Sequence, residues 1–188
     1  MISVLYRMML CGIIHMSKIA KGSDRVDKVI IIGCPGSGKS TFGRKLKSIT
    51  GLPLFHLDMM YWNKDRTIVA KEDFINSLQN AMKSPKWIID GNYASTMETR
   101  LKECDTVFFL DYPTEVCIAG IEERKGQPRS DMPWTENGNT DEEFISFVNS
   151  YNSESRPLVI NLLKKYSSKK VIVFHSREES EEYLSGLK

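Results

Sequence analysis

The sequence has few cysteines and no long apolar run. Its four cysteines form no C-x-x-C spacing and no metal-ligand spacing with its three histidines, which argues against a disulfide scaffold and a zinc site. The nearest approach to a membrane span, residues 8–14, is far shorter than a bilayer requires and lacks the cleavage site of a secretory leader. We therefore expect a protein of the reducing cytoplasm that does not associate with a membrane.

A marked excess of charge is also missing. The sequence carries 26 Lys and Arg against 24 Asp and Glu, a net charge of +2 over 188 residues. Proteins that coat nucleic acid or an anionic membrane need a clear basic excess, so both classes are disfavoured. The composition, 41% hydrophobic and 27% charged, is that of a globular protein, and the length allows one domain with a small insertion.

Hydrophobic periodicity alternates along the chain between strand-like and helix-like segments, and the strand-like runs are apolar on both faces, as in parallel sheets. The five predicted strands are 28–32, 54–57, 87–89, 106–110 and 171–174. This alternation predicts an α/β fold of three layers around a five-stranded parallel sheet. We assign the domain to residues 28–188 and interpret residues 1–27 as an N-terminal extension, disordered or upstream of a true start at Met16.

Signals near the C-terminus predict where the last helices begin and break. Asp141 is a typical N-cap, and Ser176 with Glu179 has the spacing of a capping box. We expect the helical region that begins at Asp141 to break or kink near Pro157, because proline interrupts helical hydrogen bonding.

One motif carries most of the chemical information. Between the first predicted strand and the first predicted helix, the sequence matches G-x-x-x-x-G-K-[ST] in full. In such a loop, backbone N–H groups converge on phosphate oxygens, and the helix that follows directs the positive end of its dipole at them. The motif therefore predicts a nucleoside triphosphate site. The predicted site residues are Gly33, Cys34, Pro35, Gly36, Ser37, Gly38, Lys39, Ser40 and Thr41.

Individual side chains in and near this motif suggest separate roles. Lys39 would place a cation on the β and γ phosphates, and the Ser40 hydroxyl would bind Mg²⁺. Asp90 ends a predicted strand and would hold Mg²⁺ through water. Asp58 follows another strand end and would accept a hydrogen bond from the acceptor's hydroxyl and take its proton; a helix cap or turn is its alternative role. Cys34 is expected to contribute only its backbone.

Motifs that the sequence lacks help to decide between a GTPase, a hydrolysing ATPase and a phosphotransferase. Residues 63–66 only approach the N-K-x-D motif of GTPases, and Asp90 is followed by Gly91 rather than by a carboxylate that would orient water, as in hydrolysing ATPases. These absences favour transfer to another acceptor beneath a lid that excludes water. We predict that lid at residues 124–140, with Arg124 and Arg129 as catalytic residues that neutralise the transferring phosphoryl group; an ordinary solvated loop is the alternative.

These features resemble the nucleotide-kinase branch of the P-loop NTPase fold, including adenylate and shikimate kinases, and more closely the bacterial "topology modulation" family. The shared residues are Leu57, Asp58, Trp62, residues 87–93, Arg100, Leu101, Leu110, Asp111, Arg124 and residues 129–131. The resemblance implies a nucleoside- or nucleotide-kinase-like fold that binds Mg²⁺ and ATP, and a small phosphoryl acceptor. A monomer or a homodimer is compatible with it.

The family name leaves a second function open, an ATP-binding regulatory protein that influences DNA topology without kinase turnover. A cluster of lysines at 164–170 is the feature that would favour nucleic-acid contact, and a solvated helix end is its other interpretation. Simple ATP hydrolysis is a third possibility.

The acceptor side departs from adenylate kinases. There, the Asp-Gly pair is followed by aromatic-Pro-Arg, whose arginine grips the acceptor's phosphate, whereas this chain has Asn, Tyr and Ala at 92–94. Arg100 either substitutes for that arginine or lies on a helix surface. Tyr61 and Trp62 either stack on the acceptor or pack in the core, and residues 176–177 fall where related kinases contact adenine.

Overall fold

The computed structural model describes residues 26–127, 129–134 and 141–187. Most of the predicted N-terminal extension, and residues 128 and 135–140 of the predicted lid, lie outside the described residues.

The sheet has five parallel strands in the order β2-β3-β1-β4-β5. Its strands are β1 (Lys28–Gly33), β2 (Leu54–His56), β3 (Trp87–Asp90), β4 (Thr106–Leu110) and β5 (Lys170–Phe174). Each strand overlaps the run that the sequence predicted, so the α/β fold class is confirmed.

Helices cover both faces of this sheet. They are α1 (Lys39–Thr50), α2 (Leu57–Tyr61), α3 (Lys71–Met82), α4 (Ala94–Glu103), α5 (Thr114–Glu123), α6 (Glu142–Ser150), α7 (Ser155–Lys165) and α8 (Arg177–Ser185). Helices α1, α5, α6 and α8 pack on one face, and α2, α3, α4 and α7 pack on the other. Within the described ranges, no helix combines the length and apolarity needed to cross a membrane.

The central strand β1 supplies both halves of the core. Val29 and Ile31 face one layer of helices, and Ile30 and Ile32 face the other, because successive side chains of a strand point to opposite sides. All four are fully buried, and burying each contributes about 1.5–3 kcal/mol. Because β1 pairs with β3 on one side and β4 on the other, the loop that follows β1 emerges at a topological switch point, where α/β sheets bind ligands.

Local signals set most helix boundaries. Asp141 and Ser176 do cap α6 and α8, each accepting a hydrogen bond from a backbone N–H of the first turn. The helical region breaks at residues 151–154, near Pro157 as predicted, but Pro157 itself lies in the first turn of α7, where a missing N–H leaves no bond unmade. Leu57 begins helix α2 instead of ending β2.

Candidate active site

The phosphate-binding loop between β1 and α1 rests directly on helix α5. Gly36 has a φ of +83°, and a Cβ there would lie 2.0 Å from the carbonyl oxygen of Cys117. A Cβ on Gly120 would lie 2.3 Å from the carbonyl oxygen of Gly36. Both contacts require glycine, so the loop and the helix are matched surfaces. The role of Gly120 was missed in the sequence, where the signal was a glycine inside a predicted helix.

Residues 35–41 of this loop line a cleft of about 1920 Å³. This exceeds the ~300–1,000 Å³ of a typical ligand pocket, so the cleft has room for two small ligands. The Lys39 ammonium donates hydrogen bonds to the carbonyl oxygens of Gly33 and Cys34, at 2.9 Å each. Gly33 and Cys34 themselves lie behind the cleft surface, and the Cys34 side chain is buried.

The predicted metal residues Ser40 and Asp90 meet at the carboxyl end of the sheet. The Ser40 hydroxyl donates to Asp90 Oδ2 at 2.7 Å, and His56 Nδ1 lies 2.9 Å from the same oxygen. Asp90 is 4% exposed, and its Oδ1 is buried without a hydrogen-bond partner among the described residues. A hydroxyl beside a carboxylate with an unused oxygen fits Mg²⁺, which prefers oxygen ligands and retains several waters. His56 was missed as a partner of Asp90.

Asp58 lies in the first turn of α2 and points into the same cleft. The Tyr93 hydroxyl donates to Asp58 Oδ1 at 2.6 Å. Burial raises the pKa of Asp58 above its ordinary value, while the Tyr93 hydrogen bond and the charges of Lys39 and Arg129 partly oppose that rise. Helix α2 has no side-chain cap, so the alternative role of Asp58 as a helix cap is wrong.

The turn at residues 91–93 joins the two parts of the cleft. Asn92 bridges to the phosphate loop, because its side chain accepts from the Gly33 N–H at 3.0 Å and donates to the Gly33 carbonyl at 2.8 Å. Tyr93 contacts Asp58 from the other side of the turn. Tyr93 also has a φ of +38°, a conformation that costs a non-glycine residue free energy. The contacts of Asn92 and Tyr93 had no signal in the sequence beyond their place after a strand.

Arg100 holds this turn in its strained conformation. Its side chain is fully buried, and its guanidinium donates to the carbonyl oxygens of Gly91 at 2.8 Å, of Asn92, and of Tyr93 at 3.3 Å. Burial lowers the pKa of Arg100 to about 10, which leaves it charged at neutral pH. Both sequence interpretations of Arg100, a surface residue or an acceptor-phosphate ligand, are therefore wrong.

The described part of the predicted lid lies over the N-terminus of α1. Arg129 pairs with Asp131 at 2.7 Å, and Asp131 lies 3.9 Å from Arg44. Burial opposes the ionisation of Asp131, but the hydrogen bond and charge of Arg129 hold its pKa well below its ordinary range. Arg124 follows the end of α5 and lines the cleft with Arg129. Both predicted catalytic arginines therefore lie at the cleft, and their catalytic roles stay predictions.

The far end of the cleft, expected to hold adenine, is bordered by α5 and α8. Arg177 lines it and donates to Glu123 at 3.0 Å. Ser176 is used as the N-cap of α8. The Tyr112 hydroxyl, also at this end, donates to Ser180 at 2.9 Å.

Part of the lysine cluster is engaged within the protein. Lys165 donates to Glu98 at 2.6 Å. Lys169 donates to the carbonyl oxygens of Lys102 and Cys104 at 2.9 and 2.8 Å. These contacts tie the end of α7 to α4, which gives the cluster a structural role.

Comparison with curated proteins finds adenylate kinases from Thermotoga petrophila and Thermotoga maritima, each 30% identical over 96 residues. The match covers 48% of this chain and 42% of each relative, so the chain spans less than half the length of the curated relatives it matches. No protein-family model matches, and membership of the topology modulation family stays a prediction.

Comparison with solved structures finds shikimate kinases across nearly the whole chain. The enzyme from Acinetobacter baumannii, solved in complex with shikimate, superposes with a TM-score of 0.57 at 15% identity, covering 88% of this chain and 94% of that one. The enzyme from Bacteroides thetaiotaomicron superposes with a TM-score of 0.53 at 18% identity, covering 87% and 97%. At such identities the likeness shows the fold alone. This chain has a kinase-like P-loop fold.

Proposed function

We propose that this protein is a phosphotransferase that moves the γ-phosphoryl group of Mg-ATP to a hydroxyl of a small molecule, such as a nucleoside, a nucleotide or another hydroxyl-bearing metabolite. One observation carries the proposal. The phosphate loop, the Ser40–Asp90 pair and the buried carboxylate of Asp58 line a single cleft. The fold that the protein shares with shikimate kinases and its partial similarity to adenylate kinases support a kinase that acts on small molecules.

The triphosphate side would work mainly by charge and orientation. Backbone N–H groups of the loop and the N-terminus of α1 would bind the phosphates, and Lys39 would exchange its two carbonyl partners for phosphate oxygens. Ser40 and Asp90 would hold Mg²⁺, which when bound neutralises charge on the β and γ phosphates. Arg124 and Arg129 would contact the transferring group from the lid side.

The acceptor side would present a hydroxyl to the γ-phosphorus. As the oxygen–phosphorus bond to the acceptor forms, the bond from the γ-phosphorus to the β–γ bridging oxygen breaks, and ADP leaves with that electron pair. The acceptor's hydroxyl proton passes to Asp58. Because burial raises the pKa of Asp58, its carboxylate is a stronger base than an exposed aspartate.

The regulatory alternative gains no specific support, because two lysines of its proposed nucleic-acid cluster are engaged with α4. Hydrolysis is also disfavoured. Asp90 is followed by a glycine at the position where an ATPase would carry a water-orienting carboxylate.

The test is transfer of label from [γ-³²P]ATP to a pool of nucleosides, nucleotides, sugars and shikimate, with Mg²⁺ or with EDTA. We expect a labelled organic product that depends on Mg²⁺. Labelled inorganic phosphate alone would identify an ATPase. No Mg²⁺-dependent product, in a preparation that binds ATP, would contradict the proposal.

A further inference from the structure

Aromatic rings form one wall of the cleft around Asp58. Tyr61 lies with its ring centroid 4.8 Å from that of Tyr93, and Trp62 meets the lid residue Trp134 edge to face at 5.4 Å. Tyr61, Trp62, Tyr93 and Trp134 all line the cleft. Tyr61 also packs on Phe74 at 5.3 Å, so the wall is anchored in the core. A wall of this kind favours flat ligands that stack.

Apolar side chains of three helices also line the cleft. They are Met97 of α4, Phe147 of α6, and Leu158 and Val159 of α7. Phe147 is 46% exposed and Leu158 is 61% exposed. Two large apolar side chains that face water in one cleft are a feature of ligand-binding surfaces.

The arginines around this end of the cleft already have partners within the protein. Arg100 is buried against three backbone carbonyls. Arg129 pairs with Asp131, and Arg66 lies over the Trp134 ring at 5.9 Å. A phosphate on the acceptor would require an arginine in a forked, charge-assisted contact, whereas the guanidinium groups of Arg100 and Arg129 are already bound to backbone carbonyls and to Asp131.

Two carboxylates in the cleft also disfavour a negatively charged acceptor. Asp58 and Asp90 both line the cleft, and the negative charge of Asp90 raises the pKa of Asp58, while the charges of Lys39 and Arg129 act in the opposite direction. An acceptor with its own negative charge near the reacting hydroxyl would be repelled there.

From these observations, and resting on the proposed function, we infer that the acceptor is an uncharged molecule with a flat ring next to its reacting hydroxyl. Nucleosides are the class that fits. Their monophosphates and small carboxylated polyols do not fit. The ring would stack on the aromatic wall at Trp62, with the hydroxyl at Asp58.

The first experiment compares matched acceptors. Each common ribonucleoside and deoxyribonucleoside is assayed with [γ-³²P]ATP beside its 5′-monophosphate and beside shikimate. We expect at least one nucleoside to be labelled with a kcat/KM at least about tenfold above that of its monophosphate. Equal or faster labelling of a monophosphate or of shikimate would overturn the inference and leave the proposed function standing.

A binding measurement separates the two proposals. Trp62 and Trp134 line the cleft whereas Trp87 is buried in the core, so intrinsic fluorescence reports a nucleoside without catalysis. Nucleoside binding with no transfer to any acceptor would refute the kinase function, and with it the role of the nucleoside as acceptor, and leave a nucleoside-binding site. Absence of any nucleoside response would refute the inference, whether or not another acceptor is phosphorylated.

Substitutions at Trp62, with Arg66 and Met59 as comparisons, complete the test. Trp62→Ala should weaken nucleoside binding about tenfold, since stacking a base on an aromatic ring contributes ~1–3 kcal/mol, and leave ATP binding unchanged. Trp62→Phe should restore most of that loss. Arg66→Ala should change nucleoside affinity less than about threefold, as should Met59→Ala, an exposed neighbour on α2. Loss of acceptor binding in Arg66→Ala, with Trp62→Ala unaffected, would show that the acceptor is anionic.

Discussion

The two ends of the cleft are built in different ways. The phosphate end is a single stretch of nine residues, from Gly33 to Thr41, in which the backbone does most of the work. The acceptor end is assembled from side chains that are far apart in sequence, such as Asp58 with Tyr93 and Trp62 with Trp134. The first end is therefore a local property of the chain, and the second exists only in the folded protein.

The turn at residues 91–93 connects these ends mechanically. Asn92 holds Gly33 at the phosphate end, and Tyr93 holds Asp58 at the acceptor end. Arg100 fixes the turn from below with a buried charge. The same turn therefore contributes side chains to both ends of the cleft.

The largest expected effect lies at the phosphate end. Lys39→Ala should lower turnover by about 10³-fold or more and weaken ATP binding, because a preorganised cation at the transferring group is lost. Lys47→Ala, on the exposed surface of the same helix, is the matched control and should behave like the parent. Steady-state kinetics and ATP titration measure both. Full activity in Lys39→Ala would show that the phosphate end does not take part in the reaction.

At the acceptor end, Asp58→Asn should lower turnover about 100-fold or more, because the proton acceptor is removed. Binding of ATP should stay close to that of the parent, since Asp58 contacts Tyr93 and not the phosphate loop. Isothermal titration with a non-hydrolysable ATP analogue measures this. Loss of ATP binding would show that Asp58 also contributes to the ATP site.

A smaller effect is expected where the phosphate loop meets helix α5. Gly120→Ala should weaken ATP binding about tenfold, because a Cβ placed 2.3 Å from the Gly36 carbonyl forces the loop to shift. Ala119→Gly, the exposed neighbour, should lower thermal stability through helix propensity, by about 1 kcal/mol, and leave ATP affinity unchanged. Equal ATP affinity in the two variants would contradict the close packing of loop and helix.

The smallest effect concerns the pH dependence of the acceptor end. Tyr93 donates to the ionised form of Asp58 and so lowers its pKa; Tyr93→Phe removes that contribution, and the pKa of Asp58 rises further. Because the base must be ionised, the acid limb of the turnover–pH profile should move to higher pH. On the alkaline plateau, turnover should fall less than about tenfold.

Tyr166→Phe is the control for this pH measurement. It removes a hydroxyl bound to Glu98 at 2.8 Å on the protein surface, and its acid limb should match the parent's. An acid limb in Tyr93→Phe that stays in place, or moves to lower pH, would show that Tyr93 does not lower the pKa of Asp58.

Sequence reasoning predicted the strands and the phosphate loop because both depend on neighbouring residues. It predicted caps at Asp141 and Ser176 for the same reason. It was wrong about Arg100, because nothing in a helical pattern distinguishes an arginine that faces solvent from one that satisfies three carbonyls inside the protein. It placed the helix break near Pro157 correctly but gave it the wrong cause, because a proline in the first turn of a helix interrupts no hydrogen bond.

By itself, the sequence determined an α/β chain with a phosphate-binding loop, since alternating apolar runs and a contiguous glycine-rich motif act through short-range geometry. Only the tertiary structure decided how the acceptor end is built. The Asp58–Tyr93 contact joins segments that follow the neighbouring strands β2 and β3, and the fit of Gly36 against Gly120 joins segments that follow the neighbouring strands β1 and β4. The clamp of Arg100 joins residues that are close in sequence, but its burial depends on the packing of α4 against the sheet. Their energies come from burial and close packing, which no stretch of sequence expresses alone.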